Sequence, residues 1–304
     1  MRRPASALAL VALLTTVILW GSAYVAIRVA LGGLDGFGPA GLTAGRVVVG
    51  AAALAAVAPV IGVRRPARAD LPRIALCGVV GITGYQFLVN AGERTVPAGT
   101  TSLLINTAPL YTVLLAWLLL GDRLGGRGRM GIALGFIGAT VMALGEGEGL
   151  GLSRDTLLIV VAAACFALFI VLQKPLLARY SGFELTCYTM WAGALIATPL
   201  LPALGSDLRS ADGEPILAVL FLGLGPSAIG FATWSYALAR FDVSTTATAL
   251  YLLPIVAITA GWLVLGEQPH AVVLVGGAVA LTGVIISRTR PRRVPALRPV
   301  DQAA

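Results

Sequence analysis

AGTTSLLINTAPLYTVLLAWLLLGD, Ala98 to Asp122, is repeated in altered form as VSTTATALYLLPIVAITAGWLVLGE, Val243 to Glu267. Aligning Pro109 with Pro254 sets an offset of 145 residues. At that offset Thr100 and Thr101 meet Thr245 and Thr246, Trp117 meets Trp262, Gly121 meets Gly266, and Asp122 meets Glu267. Leucine matches mean little in so apolar a chain; tryptophans, a threonine pair and a terminal Gly-acid mean more. Each copy is an apolar span interrupted by a proline and closed by glycine and an acid. An internal repeat of this kind constrains the architecture before any other feature is read.

Composition says what surrounds the repeat. Of 304 residues, 58% are hydrophobic and 12% charged, with a mean hydropathy of +0.90. Soluble domains carry about 25% charged residues, so this chain reads as one that faces lipid. Runs of about 20 apolar residues cross a bilayer core as helices. Ten such runs follow one another, at roughly 8–30, 38–61, 73–92, 98–120, 129–145, 157–178, 183–204, 215–238, 245–265 and 270–287. Their connections are too short for a separate soluble domain. The opening MRRPASALALVALLTTVILWGSAYVA is basic and then apolar, like a secretory signal. Its run from Ala7 to Ala30 is longer than a signal core, and Tyr24 meets Phe169 at the repeat offset. It is therefore read as a first span. Cys77, Cys165 and Cys187 sit inside apolar spans without CxxC spacing and read as small packing residues.

Charge orients the spans. A cytoplasmic N-terminus places Arg2, Arg3, Arg64, Arg65, Arg68, Arg73, Arg123, Arg127, Arg129, Lys174, Arg179 and Arg240 inside. Arg94, Arg154 and Arg209 fall outside, among Asp35, Glu93, Glu146, Asp155, Asp207 and Glu267. Cytoplasmic loops hold the excess of Lys and Arg. Topology thus accounts for the net charge of +8, and no nucleic-acid partner is implied. The basic tail, residues 289–304, reads as a disordered cytoplasmic segment near anionic lipid headgroups.

Five spans in each half is an odd number, so residues 1–148 and 149–288 insert in opposite senses. Inverted repeats are a common construction of secondary transporters, with the site near the midplane. The expected fold is all-α integral membrane: ten transmembrane helices built from two inverted five-helix repeats, with both termini cytoplasmic. Two similar halves can open a shared cavity to either side in turn. That mechanism needs no catalytic residue, cofactor or metal.

The motifs at this point resemble a known family. The first-span WGSAYVAIR (Trp20 to Arg28), the second-span Arg46, the fourth-span TSLLINTAPLYTVLLAWLLLGDRL and the ninth-span TALYLLPIVAITAGWLVLGE are similar to the EamA-type exporters of the drug/metabolite transporter superfamily. The glycine-bearing fifth and tenth spans complete the resemblance, which covers roughly residues 8 to 288. The fourth span ends GDR where GER is usual, and the sixth carries Cys165–Phe166 in place of Trp-Ala-Gly. The resemblance implies paired five-helix bundles, a central cavity lined by spans other than the fifth and tenth, and export of a small amino-acid-like or drug-like metabolite across the cell membrane. Substrate identity, energy coupling and a homodimer are left open.

Individual residues then take provisional roles. Pro109 and Pro254 each remove a mid-span hydrogen bond, which makes them either hinges beside a cavity or fixed packing kinks. Asn106, Thr107 and Tyr251 lie next to them and supply polar contacts. Gly131, Gly135 and Gly138 match Gly276, Ala280 and Gly283, spaced to share one helix face for close packing. Trp20 and Tyr24 are candidates for an aromatic cavity lining, or for interfacial anchors. Arg46 is the deepest charge in any span, roughly 12 Å along its helix from Gly38. It either snorkels to headgroups or, with Arg28, receives an anionic group of the substrate by charge-assisted hydrogen bonds. No carboxylate lies in mid-span to pair with either arginine.

Other classes are thinly supported. A lone histidine, His270, cannot build a zinc site. Paired membrane aspartates are missing, and the serine in GLGPSAIG (Gly223 to Gly230) has no histidine near it in any span. Proton-coupled carriers keep an intramembrane acid or histidine, and Glu93, Glu184 and Glu214 all stand at span ends. Facilitated diffusion, exchange and coupling through Glu93 stay open. A channel or membrane sensor is the alternative to a transporter, ahead of an intramembrane enzyme.

Overall fold

The computed structural model describes residues 7–32, 36–120, 126–145, 153–173, 175–238 and 249–287, and every regular element among them is a helix. Lipid offers backbone groups no hydrogen-bonding partner, so apolar spans must satisfy them within the helix. Helix α1 is Ala7–Leu31 and α2 is Pro39–Ile61. Pro39 opens α2 where its missing N–H is not needed, and Gly62 closes it at φ 75°. A 3-10 turn Arg68–Asp70, α3 (Leu71–Cys77), a π-helical turn Gly78–Thr83 and α4 (Gly84–Gly92) form the next segment. Then come α5 (Ala98–Ile105), α6 (Ala108–Leu120), α7 (Gly126–Gly145) and α8 (Arg154–Gln173). A reciprocal cap between Ser181 and Glu184 starts α9 (Gly182–Ile196). The chain then bends by 48° toward α10 (Leu201–Ser210). Helix α11 (Gly213–Leu222), a π-helical turn Gly223–Gly230 and α12 (Phe231–Leu238) follow. Helices α13 (Leu253–Leu265) and α14 (Ala271–Ser287) complete the described chain.

Six helices are long and apolar enough to cross a bilayer: α1, α2, Arg68–Gly92, α7, Arg154–Ala178 and Gly213–Trp234. The bent pair α9–α10 makes up to seven. Among the described residues, Leu250–Leu265 and Ala271–Ser287 are shorter apolar helices. Residues 98–120 break between Ile105 and Ala108, and Leu250–Leu265 starts after a stretch that is not described. Thr245, Thr246, Asp35, Asp122, Glu146, Arg240 and the tail 289–304 also lie outside the described residues.

Helix boundaries recur at the 145-residue offset. Helix α6 starts at Ala108 and α13 at Leu253, and the π-helical turns start at Gly78 and Gly223. The expectation of mid-helix kinks is corrected in one respect. Pro109 and Pro254 each occupy the second position of a restarted helix, where no intrahelical hydrogen bond is lost. The chain resolves the proline's missing donor by ending one helix and beginning another.

Helices α7 and α14 pack antiparallel along the matched glycines. A Cβ placed on Gly131 would meet Gly283 and Ser287, one on Gly138 would meet Gly276 and Ala280, and one on Gly145 would meet Val272. At Gly138 and at Gly283 that carbon would lie 2.3 Å from a backbone nitrogen of the other helix. The glycine face is therefore an internal contact between two helices of this chain. Without side chains between them, backbones approach closely enough for dispersion to hold the pair in lipid.

Polar ties join residues 1–148 to residues 149–288 at two opposite ends of the bundle. At one end Arg28 Nε pairs with Glu267 Oε1 at 2.8 Å, Thr95 donates to Asp155, and the Gly38 amide donates to Asp207. At the other, Arg64 pairs with Glu184 at 3.0 Å and Arg179 with Asp70 at 2.8 Å. Tyr188 there donates to the Arg64 carbonyl, and Tyr180 donates to Asp70 and accepts from the Ala67 amide. The Glu184 carboxylate raises the pKa of Arg64, which lies in the connection after α2.

Candidate substrate site

Four polar residues mark one face of the third segment at intervals of three, four and three: Thr83, Gln86, Asn90 and Glu93. Helical periodicity puts them on a common stripe, and all four are buried. Thr83 spends its hydroxyl on the Gly193 carbonyl at 2.7 Å. Asn90 donates its amide to Thr43 at 2.9 Å and presents its Oδ1 to Arg46 Nη1 at 3.3 Å. Thr43 in turn donates to the Pro39 carbonyl at 2.6 Å. One turn of α2 separates Thr43 from Arg46, so Asn90 bridges both and fixes the guanidinium from one side.

Arg46 is only 7% exposed, which excludes snorkelling to solvent in this conformation. Its Nε has no hydrogen-bond partner among the described residues. Tyr24, Tyr85 and Glu93 lie within its electrostatic reach. Glu93, just past the end of α4, is wholly buried. Thr101 faces it, but outside hydrogen-bonding geometry, so both Glu93 oxygens and Thr101 Oγ1 lack a partner among the described residues. Gln86 Oε1 is in the same condition. Buried polar atoms are normally satisfied, so this many unsatisfied in one region marks a place prepared for something else to bind.

The expectation that Arg28 has no carboxylate partner is overturned. Gly266 ends α13 at φ 69°, a left-handed turn that suits glycine. The turn sends Glu267 back over the bundle, where Oε2 accepts from the Ala98 amide at 2.9 Å and Oε1 accepts from Arg28. Ala98 is the first residue of α5, so the carboxylate also meets the positive end of that helix. Arg28 Nη1 donates to the Glu93 carbonyl at 2.6 Å and the Arg94 carbonyl at 2.9 Å. Its hydrogen-bonding capacity is largely spent on closing this end.

The remaining candidates divide. Tyr24 is buried beside Tyr85, Arg46 and Glu93 and joins the cluster. Trp20 does not: its Nε1 donates to the Pro226 carbonyl at 3.0 Å, and its ring packs on Phe231 and Trp234 at 5.0 and 5.4 Å. Asn106 is buried, and its amide returns to the Ser102 carbonyl at 2.9 Å, capping the break before α6. Tyr251 lies in the 3-10 turn Leu250–Leu252 that precedes α13, partly buried. Sequence reasoning passed over Gln86 and Asn90 and left Glu93 as a span-end residue. The signal was present in the polar stripe, which hydropathy averaging conceals.

The cluster is closed to solvent here: Arg46 is 7%, Asn90 0% and Glu93 0% exposed. A separate apolar pocket of about 250 Å³ opens between α6 and α8, lined by Tyr111, Leu115, Ala164 and Cys165.

Comparison with known proteins extends this geometry. The EamA-like transporter family profile matches residues 7–144 and again residues 155–289. A "probable terminal-alkyne amino-acid exporter" of Streptantibioticus cattleyicolor is 45% identical over 290 residues, covering 95% of this chain and 96% of the relative. The uncharacterized transporter YdfC of Bacillus subtilis is 32% identical, over 88% of this chain and 86% of its own. A "probable amino-acid metabolite efflux pump" of Escherichia coli is 25% identical, over 90% and 92%. One solved crystal structure has the same fold at a TM-score of 0.60 and 22% identity, covering 92% of this chain and 96% of that one.

Proposed function

Because this chain belongs to the EamA-like transporter family and is a multi-pass membrane transporter, we propose that it exports a small amino-acid-like solute across the cell membrane by alternating access. Residues 1–148 and 149–288 form two inverted five-helix halves, ten spans in all, with both termini and the tail 289–304 cytoplasmic. Recurrence of helix boundaries at one offset supports the repeat, and the antiparallel run of the matched helices α7 and α14 supports its inversion. The exporter names of two relatives support an amino-acid-like cargo.

The observation that carries this reading is Arg46, a buried guanidinium with a free Nε in a solvent-closed polar cluster. A charge at the bilayer centre costs at least ~3 kcal/mol on insertion scales, and an incoming carboxylate offsets that cost. Closure at both ends favours a carrier over a channel. Ties made of solvent-screened ion pairs are individually weak and can part at one end while the other holds. Pro109 and Pro254, each at a helix restart, let α6 and α13 swing relative to what precedes them.

Counterflow in proteoliposomes tests the reading. With an amino-acid panel that includes L-propargylglycine, wild-type protein shows exchange, Arg46→Lys weakens it, and Arg46→Gln nearly abolishes it with the fold retained. Wild-type kinetics in well-folded Arg46→Gln would remove Arg46 from substrate binding.

A further inference from the structure

Resting on the transporter reading, we propose that Glu93 and Arg46 form a two-pole site for a zwitterion, Glu93 receiving the ammonium and Arg46 the carboxylate of an α-amino acid. A carboxyl and a guanidinium are buried in one cluster, yet they form no ion pair with each other; the ion pairs among the described residues lie elsewhere. An unpaired buried ion costs several kcal/mol, and direct contact between the two would relieve both. The scaffold prevents it. Asn90, tied to Thr43, holds the guanidinium on its own side of the stripe, while Glu93 sits one helical turn further on.

The free atoms match the ligand. An ammonium brings three donors and a carboxylate only acceptors. On one side, acceptors without a partner among the described residues await: both Glu93 oxygens and Gln86 Oε1, with the Thr101 hydroxyl facing Glu93. On the other, the Arg46 Nε–H is an unpartnered donor. The charges around Glu93 also balance. Arg28 and Arg46 face it together with Glu267, and Arg28 is already neutralised by Glu267. With Glu93 ionised opposite an incoming ammonium, two arginines and two glutamates leave no net charge, which disfavours a bare anion or a bare cation and admits a molecule carrying both signs. Tyr24 and Tyr85 complete the wall beside Arg46 and Glu93.

The test compares three forms of each exchanged amino acid in wild-type proteoliposomes: the zwitterion, its N-acetyl derivative and its primary amide. With L-propargylglycine as the lead probe, both derivatives compete at least about tenfold less well than the zwitterion, the loss expected when one partner of a buried charge pair is removed. In Glu93→Gln the KM for the zwitterion rises by at least about tenfold while the N-acetyl derivative competes as it does against wild type. Equal competition by either derivative in wild type, or an unchanged KM in Glu93→Gln, overturns the two-pole site and leaves the transporter reading standing. Exchange of none of the amino acids removes the amino-acid reading and this inference together. Wild-type discrimination requires no variant, so a Glu93→Gln protein that fails to fold still leaves a decisive result.

Discussion

Gly138→Ala perturbs the closest backbone contact between α7 and α14. The added carbon falls 2.3 Å from the Ala280 nitrogen, 2.6 Å from the Gly276 oxygen and 2.7 Å from the Ala280 Cα. Ordinary contact begins at 3.4 Å, so the helices must part by roughly 1 Å, which a close-packed contact does not absorb silently. All three neighbours are helix backbone, and no rotamer change relieves the clash. The contact runs from Gly131 against Ser287 to Gly145 against Val272, so parting at the middle loosens the whole length. Overpacking costs about 1–3 kcal/mol, and lipid supplies no hydrophobic force to press the pair together again. At about 2–4 °C per kcal/mol, melting of the detergent-solubilised protein falls by roughly 2–12 °C. Gly126→Ala is the matched control, because among the described residues nothing lies within 4 Å of its added carbon. It restricts only the unfolded chain and leaves melting unchanged or slightly raised. Equal melting of the two variants would refute a backbone-to-backbone seam.

Cysteines introduced at Ser206 and Ser210 are expected to react with an impermeant reagent from outside, and one at Ala67 is not; the reverse pattern sinks both the orientation and the inversion. Pro109→Ala and Pro254→Ala restore an N–H at each helix restart, so each slows exchange while folded protein stays in the membrane. Unchanged flux in both leaves the prolines as packing features only. Arg28→Gln removes the Glu267 ion pair and weakens the grip on two carbonyls, and labelling of a Ser102→Cys probe from outside accelerates by up to about fivefold, the equivalent of an ion pair near 1 kcal/mol. Labelling at the wild-type rate would show that this tie does not close the outer end.

Local chemistry was legible before any fold was known. A proline cannot donate a hydrogen bond, so Pro109 and Pro254 announced where α6 and α13 interrupt their runs, and the shared offset announced that the interruptions correspond. Glycine spacing on Gly131 and Gly138 announced a close-packed face because period 3.6 is a property of the helix itself, while a Cβ on Gly135 would meet Leu110 of α6. Arg46 stood out by its depth alone. Partners were a different matter. Arg28 and Glu267 are 239 residues apart, and their meeting depends on a left-handed turn at Gly266 that directs one helix end across another. Glu93 follows the last residue of α4, and hydropathy treats such a position as solvated. It is buried where Thr101 of α5 and Arg28 at the end of α1 come against it, and which helices close over which is decided only when all of them pack at once. The sequence by itself therefore determined an all-helical, apolar chain and the places where proline interrupts it, each set by the chemistry of neighbouring residues. Only the tertiary structure decided which charges are satisfied and which are left waiting, because that depends on residues far apart in the chain.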